Sequence, residues 1–296
     1  MKLSEICSLL EDVKILSDGE FSSLGLAVSK CDEELLSFVE SEKYICGLGE
    51  NITCLITTDE IGKRFCDKFG IIVSKNPRMD YFKLHNKLSS DKVYTRKSYC
   101  TTIGEGCSIS PTASISDRNV TIGKNVKIEE FVVIRENTVI GDNSIIRAGC
   151  ILGGEGFEYK RTDGIIMNVT HCGGVIVGAN VEVQYNTCID KALYTWDNTI
   201  VSDYSKIDNM VHLEHGVKVG ERCLIASRTT VGGRTVIGSD SWIGLGAIIS
   251  NGLTLGNKVS VSLGSVVTKN IEDGEKVSGN FAINHDKFID FIKSIR

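Results

Sequence analysis

From Val177 to Val267, every sixth residue is Val, Ile or Leu, and Thr195 is the single departure. The same step runs upstream through Ile122, Ile128, Ile134, Ile140, Ile146 and Leu152, with Ile103, Ile109 and Ile115 leading in one residue out of phase. Two positions before the large aliphatic sits a smaller residue, as in Val211, Val217, Cys223, Thr229, Thr235, Ser241 and Ala247. Glycine often follows it, as at Gly178, Gly220, Gly232, Gly238, Gly244 and Gly256. Alternation over three residues followed by a turn is the pattern of a short strand. A helix would instead repeat its apolar positions about every 3.6 residues. The hexapeptide period therefore predicts a parallel β-solenoid with its aliphatics stacked inward. Cys107, Cys150 and Cys223 fall on the small inward positions and read as packing residues.

The period is missing at both ends and fails once in the middle. "NITCLITTDEIGKRFCDKFGIIVSKNPRMDYFKLHNKL" reads as strand, helix, strand, helix, with Asp59 as N-cap and Pro77 opening the last helix. The expected organisation is mainly β: a small α/β domain over 1–95, a polar linker over 96–102, a solenoid over 103–270 and a tail over 271–296. In that tail Phe288, Phe291 and Ile292 are spaced for a short helix. The ruler breaks across 153–176, an insert too long for a turn, and long loops on rigid scaffolds commonly carry function.

Composition narrows the function by exclusion. A net charge of -5 supplies no basic field for nucleic acid or anionic lipid. Glu5, Glu11 and Asp12 interrupt the first apolar stretch, so no signal peptide is expected. No run approaches the roughly 18 apolar residues that span a bilayer, which points to a cytoplasmic protein with no integral membrane contact. The 11 cysteines include no CxxC pair, so reduced thiols and no metal site are expected.

With 5 histidines in the chain, "VHLEHGVKVG" (211–220) is the densest candidate chemistry. Leu213 points inward, so His212 and Glu214 point outward and His215 falls at the turn. One coil of about 18 residues stacks Gly233 on His215, with strands about 4.8 Å apart. A base and an unshielded glycine N–H so placed can act on two ends of one acyl group, the first on the nucleophile's proton and the second on the oxyanion. Histidine, with an unperturbed pKa of about 6.5, is largely neutral at cytosolic pH.

"DNMVHLEHGVKVGERCLIAS" with "TTVGGRTVIG" resembles the active-site coils of the lipid A hexapeptide acyltransferases. Within that group the chain most resembles the UDP-3-O-acyl-glucosamine N-acyltransferases, through "GGEGFEY", "GGVIVGANVEVQYNTCIDKA" and a C-terminal helix. The resemblance implies a left-handed β-helix, a uridine-binding N-terminal domain and a homotrimer with sites between subunits. It assigns His215 as general base, Gly233 as oxyanion donor and His212 as an accessory. It assigns Phe38 and Tyr44, in "LSFVESEKY", as the aromatic clamp on uracil, with Asp208, Asn209, Glu155 and Phe157 as further nucleotide-sugar contacts.

Ser41 replaces the polar residue usual in that uridine motif, and Leu253 replaces a family histidine. "WIGLGAIISNGLTLGNKVSVSLGSVVTKNI" and "VSGNFA" look instead like the tail of acetyl-CoA-dependent sugar acetyltransferases. That likeness places Gly246, Gly264 and Ser265 on the acyl donor. Lys287, Lys293 and Arg296 form only a thin basic surface for acyl carrier protein. The expectation is an N-acyltransferase moving a short acyl group, such as acetyl, from acyl-CoA to the amine of a UDP-linked amino sugar, with no tightly bound cofactor. The alternative within the family is the lipid A enzyme using acyl carrier protein (acyl-ACP). Outside it stand a catalytically silent scaffold and a carbonic-anhydrase-like metal enzyme, the latter needing His171 to join His212 and His215.

Overall fold

The aliphatic ruler becomes the interior of a left-handed parallel β-helix in the computed structural model, which describes residues 1–162, 164–279 and 282–295. Each coil contributes one short strand to each of three parallel sheets of nine, eight and eight strands. Val211, Leu213, Val219, Ile225, Val231, Ile237 and Ile243 are fully buried and stack in register, as in the Leu213–Val231 and Val231–Ile249 pairs. Asparagines turn many of the corners at positive φ, among them Asn125, Asn143 and Asn186, because asparagine tolerates that region better than most residues with a side chain.

Between Ile189 and Val201 the coil gains a loop. Glu182 pairs with Lys206 and Cys188 with His212, whereas His212 pairs with Thr230, so this coil is one hexapeptide longer than those above it. Thr195 breaks the ruler because it lies in that loop and not on a face. The inserted length equals one period, so the phase survives and the sequence conceals the interruption.

The loop is where the N-terminal domain docks. That domain has strands β1 (Lys14–Ser17), β2 (Ser23–Leu24), β3 (Leu35–Val39), β4 (Ile52–Thr57) and β5 (Gly70–Val73) in the order β1-β5-β4-β3-β2. Helices α1 (Leu3–Ile6), α2 (Asp59–Phe65) and α3 (Pro77–Leu88) complete it. Thr58, not Asp59, is the N-cap of α2, and Asp59 is its first helical residue. Trp196 Nε1 donates to the Leu24 carbonyl at 2.9 Å, and the Tyr194 and Trp196 rings stack. The Tyr81 hydroxyl bonds the Tyr194 hydroxyl at 3.1 Å. Arg96, expected in the polar linker, donates to the carbonyls of Thr195 and Asp197, so the linker is tied to the solenoid at its first residue.

The 153–176 insert folds into an antiparallel hairpin, Tyr159–Thr162 with Ile165–Asn168, before rejoining the third sheet at Gly174. At the other end, Ile271 bridges Leu255 and Lys276–Val277 pairs with Ser260–Val261. The solenoid therefore runs past the expected limit at 270, because the chain re-enters it four residues after Val267 instead of six. Helix α4 (His285–Ser294) follows, with Asn284 Oδ1 accepting from the Asp286 and Lys287 N–H groups.

Candidate active site

His215 stands at a coil corner, outside the aliphatic core, yet its side chain is only 6% exposed against 41% for His212. The cover comes from the insert. A Cβ on Gly156 would lie 3.0 Å from His215 Nδ1, and one on Gly233 would lie 2.7 Å from its Nε2. The imidazole is thus held between two glycines, and only glycine permits either approach. The stacking of Gly233 on His215 read from the period is correct. His215 does fall at the turn, and it is buried there because a loop with no period folds back over it.

Glu158 Oε2 lies 3.3 Å from His215 Nε2 and 3.4 Å from Arg234 Nη1, and its other oxygen pairs with Lys160. Burial opposes ionisation of this carboxyl, but His215, Lys160 and Arg234 outweigh it and hold its pKa well below the usual range. An ionised carboxylate therefore sits against the ring. The orientation is not that of a hydrogen bond, and neither nitrogen of His215 or His171 has a hydrogen-bond partner among the described residues. The two rings meet edge to face at 5.3 Å.

The Gly233 N–H is not free. It donates to Glu214 Oε2 at 2.8 Å, which corrects the expectation of an unshielded donor. Glu214 points outward as the alternation requires, and one coil's spacing brings its carboxylate onto the next corner.

A cavity of about 370 Å³ opens between the N-terminal domain and the insert. Its walls include Phe38, Tyr44, Arg78, Lys160, Glu158 and Arg234. Phe38 is near the carboxyl end of β3 and Arg78 in the first turn of α3, the side of a parallel sheet where ligands collect. Phe38 packs on Tyr81 and Phe82 with centroids 5.0 and 5.8 Å away, while Tyr44 is exposed. The two aromatics singled out in the sequence thus line one cavity, and Glu158 and Arg234 join that cavity to His215.

Other candidates fall elsewhere. Asp208 accepts from the Ser227 N–H at 3.0 Å and Asn209 from the Tyr185 N–H at 3.1 Å, so both brace the opposite corner of the coil. Asn209 borders a separate groove with Met210, Arg228 and Gly246. Glu155 binds Lys191 at 2.6 Å and lies 3.3 Å from His171 Nδ1. Those contacts outweigh its burial and lower its pKa to about 2. Phe157 is 82% exposed and leans on Tyr159. Gly246 and Gly264 turn corners at positive φ with open space around them. Ser265 occupies a small inward position, is buried, and lies against Gly279. Asn280, Phe281 and Arg296 lie outside the described residues.

Two features escaped the sequence. Glu158 and Lys160 belong to an aperiodic insert and meet His215 only through its fold. Asp190 carries a signal in hindsight, since it is an acid on a strand aligned with His212. Its Oδ2 accepts from His212 Nε2 at 2.9 Å, which raises the His212 pKa against the opposing effect of burial. Cys188 Sγ lies 3.5 Å from Asp190 Oδ1, and burial followed by that carboxylate pushes its thiol up to about 12. A protonated thiol is a poor nucleophile. Cys188, Asp190 and His212 nevertheless bring three side chains of metal-ligating type together. His171 joins His215 and not this group, so the three-histidine arrangement is absent among the described residues.

Residues 119–154 match the family described as bacterial transferase hexapeptide (six repeats). UDP-3-O-acylglucosamine N-acyltransferase from Delftia acidovorans is 31% identical over 139 residues, 47% of this chain and 41% of that protein. The enzyme of that name from Campylobacter lari is 33% identical over 135 residues, 45% and 41% of the two chains. The chain thus spans about two fifths of the length of these curated relatives. A crystal structure of UDP-N-acetylglucosamine acyltransferase covers 66% of this chain and 77% of its own, with TM-score 0.55 and 21% identity. Its counterpart from Campylobacter jejuni covers 66% and 79%, with TM-score 0.54 and 19% identity. These structures share the solenoid fold. Among the described residues, no helix is long and apolar enough to cross a membrane.

Proposed function

We propose that this chain is an N-acyltransferase that moves an acyl group from a thioester to the amine of a UDP-linked amino sugar, with His215 as general base. The carrying observation is continuity: the cavity lined by Phe38 and Tyr44 ends on Glu158 and Arg234, which pack against the His215 corner. A base stacked between tyrosine and phenylalanine suits the outer end. Arg78, Lys160 and Arg234 supply positive charge for a diphosphate along the way. The sugar amine then reaches the inner end at His215 Nε2.

In the reaction Nε2 takes the proton as the amine attacks the thioester carbon. Ionised Glu158 stabilises the imidazolium. The Gly233 N–H holds the oxyanion, with Glu214 in the position that negative charge takes before substrate arrives. Collapse expels the thiolate, which takes the proton back from the His215 imidazolium to leave as the thiol, and no acyl-enzyme is required because a neutral amine is itself a competent nucleophile. Ile248 and Val266 are exposed on the sheet that carries His212, two and three strands along, and Leu245 and Leu263 are exposed on the same coils, which supports a second copy closing the cleft in a homotrimer.

The proposed donor is a short acyl-CoA, lodged by the open corners at Gly246 and Gly264. The second reading, a long acyl chain from acyl carrier protein, draws on a groove of about 600 Å³ on the same face, whose mixed lining sets Val133 and Ile151 beside Arg135, Glu136, Glu155 and Lys191. Mass spectrometry of UDP-amino sugars incubated with acetyl-CoA or 3-hydroxyacyl carrier protein separates the two. An acetyl gain only with acetyl-CoA supports the first, and a long acyl gain only with carrier protein supports the second. No product with either favours a silent scaffold, and an equally active His215→Ala protein removes His215 as the base.

A further inference from the structure

We propose that Cys188, Asp190 and His212 form a binding site for a thiophilic divalent metal ion, of the zinc or cobalt class, on the outer face of the solenoid. Cys188 and His212 are register partners on adjacent parallel strands, so their side chains leave the sheet side by side. Asp190 follows Cys188 by two residues on the same strand and shares its outward parity. The observed separations are 2.9 Å for His212 Nε2 to Asp190 Oδ2 and 3.5 Å for Cys188 Sγ to Asp190 Oδ1, with all three ligand atoms within 4.8 Å of one another.

Tetrahedral zinc holds nitrogen and oxygen at about 2.0–2.2 Å and sulfur at about 2.3 Å, which sets ligand atoms roughly 3.3–3.8 Å apart. The three side chains need only small torsional changes to meet that spacing. Sulfur and imidazole select zinc or cobalt over magnesium or calcium, which prefer oxygen. Gly154 of the insert leaves the space, since a Cβ there would lie 3.3 Å from Asp190 Oδ1 and 3.9 Å from Cys188 Sγ. The partial exposure of His212 leaves the fourth position open to water. Binding replaces the proton on Cys188 Sγ and the one on His212 Nε2 by the metal, and both protons pass to solvent or, for the imidazole, to Nδ1.

The same ion would fix His212 away from the cleft beside His215, so occupancy is expected to inhibit acyl transfer. That consequence rests on the proposed function, but metal binding itself does not. Titration of the full chain with Co²⁺ tests the site directly. The expected result is one tightly bound ion per chain, tetrahedral d–d bands and a thiolate-to-cobalt charge-transfer band. Cys188→Ser should abolish that band, and His212→Gln should weaken binding by more than about 10-fold. Circular dichroism checks both folds, and His212→Gln decides if the serine variant does not fold. The proposal is overturned if Co²⁺ binds without a sulfur band, if both variants keep the native spectrum and affinity, or if no stoichiometric binding occurs.

Discussion

The coils from Lys206 to Val267 repeat with one step and one phase, while those from Gly153 to Val201 carry two insertions. The first group is a ruler: each aliphatic meets its equivalent in the next coil, and nothing else is required of the sequence. The second group spends its irregularity on other contacts. One insertion docks the N-terminal domain through Tyr194 and Trp196, and the other covers His215 with Gly156 and Glu158. The solenoid supplies fixed positions, and departures from its period decide what meets there.

The largest expected effect tests whether the irregular coils assemble a base. His215→Ala should lower kcat by about 10²–10⁴-fold with little change in KM, measured by product mass. The next effect belongs to the ruler. Ile225→Ala removes a fully buried side chain with no insertion nearby to collapse into the space, and should cost about 2–5 kcal/mol by urea denaturation.

The junction should then be singled out by acid. His85 is fully buried, its Nδ1 facing the Tyr94 hydroxyl at 3.0 Å and its Nε2 the Thr170 carbonyl of the insert at 2.7 Å. Burial lowers its pKa to about 4, so the fold holds the neutral ring. The unfolded chain takes up this proton near pH 6.5 and the folded one only near 4. Stability from this group is therefore complete above 6.5 and falls by about 3 kcal/mol as pH drops to 4. Denaturation followed by tryptophan fluorescence at pH 7 and pH 5 checks the direction, and His85→Gln should flatten the dependence.

Smaller effects sharpen the contrast. Tyr44→Ala removes an exposed ring from the cavity wall and should raise KM for the nucleotide sugar by roughly 3- to 10-fold, at about 0.5–1.5 kcal/mol, without lowering Tm. Thr195→Val restores the ruler's residue class at its one departure. It should cost about 0.5–1.5 kcal/mol, because the Thr195 hydroxyl bonds the buried Ser23 hydroxyl at 3.1 Å across the domain junction and the position has no core place to fill. A clear gain in Tm would show that Thr195 belongs to the stack.

The sequence by itself determined the solenoid, its inward residues and the stacking of Gly233 on His215. Those follow from local periodicity, in which each residue's neighbours lie at fixed sequence offsets. The cavity shared by Phe38, Tyr44, Glu158 and Arg234 was decided only by the tertiary structure, as were the capture of the Gly233 N–H by Glu214 and the grouping of Cys188, Asp190 and His212. The cavity and the Cys188 group depend on an aperiodic insertion folding against a distant strand or on a coil whose length differs from the rest, and the Glu214 contact depends on a side-chain conformation that the period does not fix. In such places contact is set by packing between elements, and sequence spacing no longer measures distance.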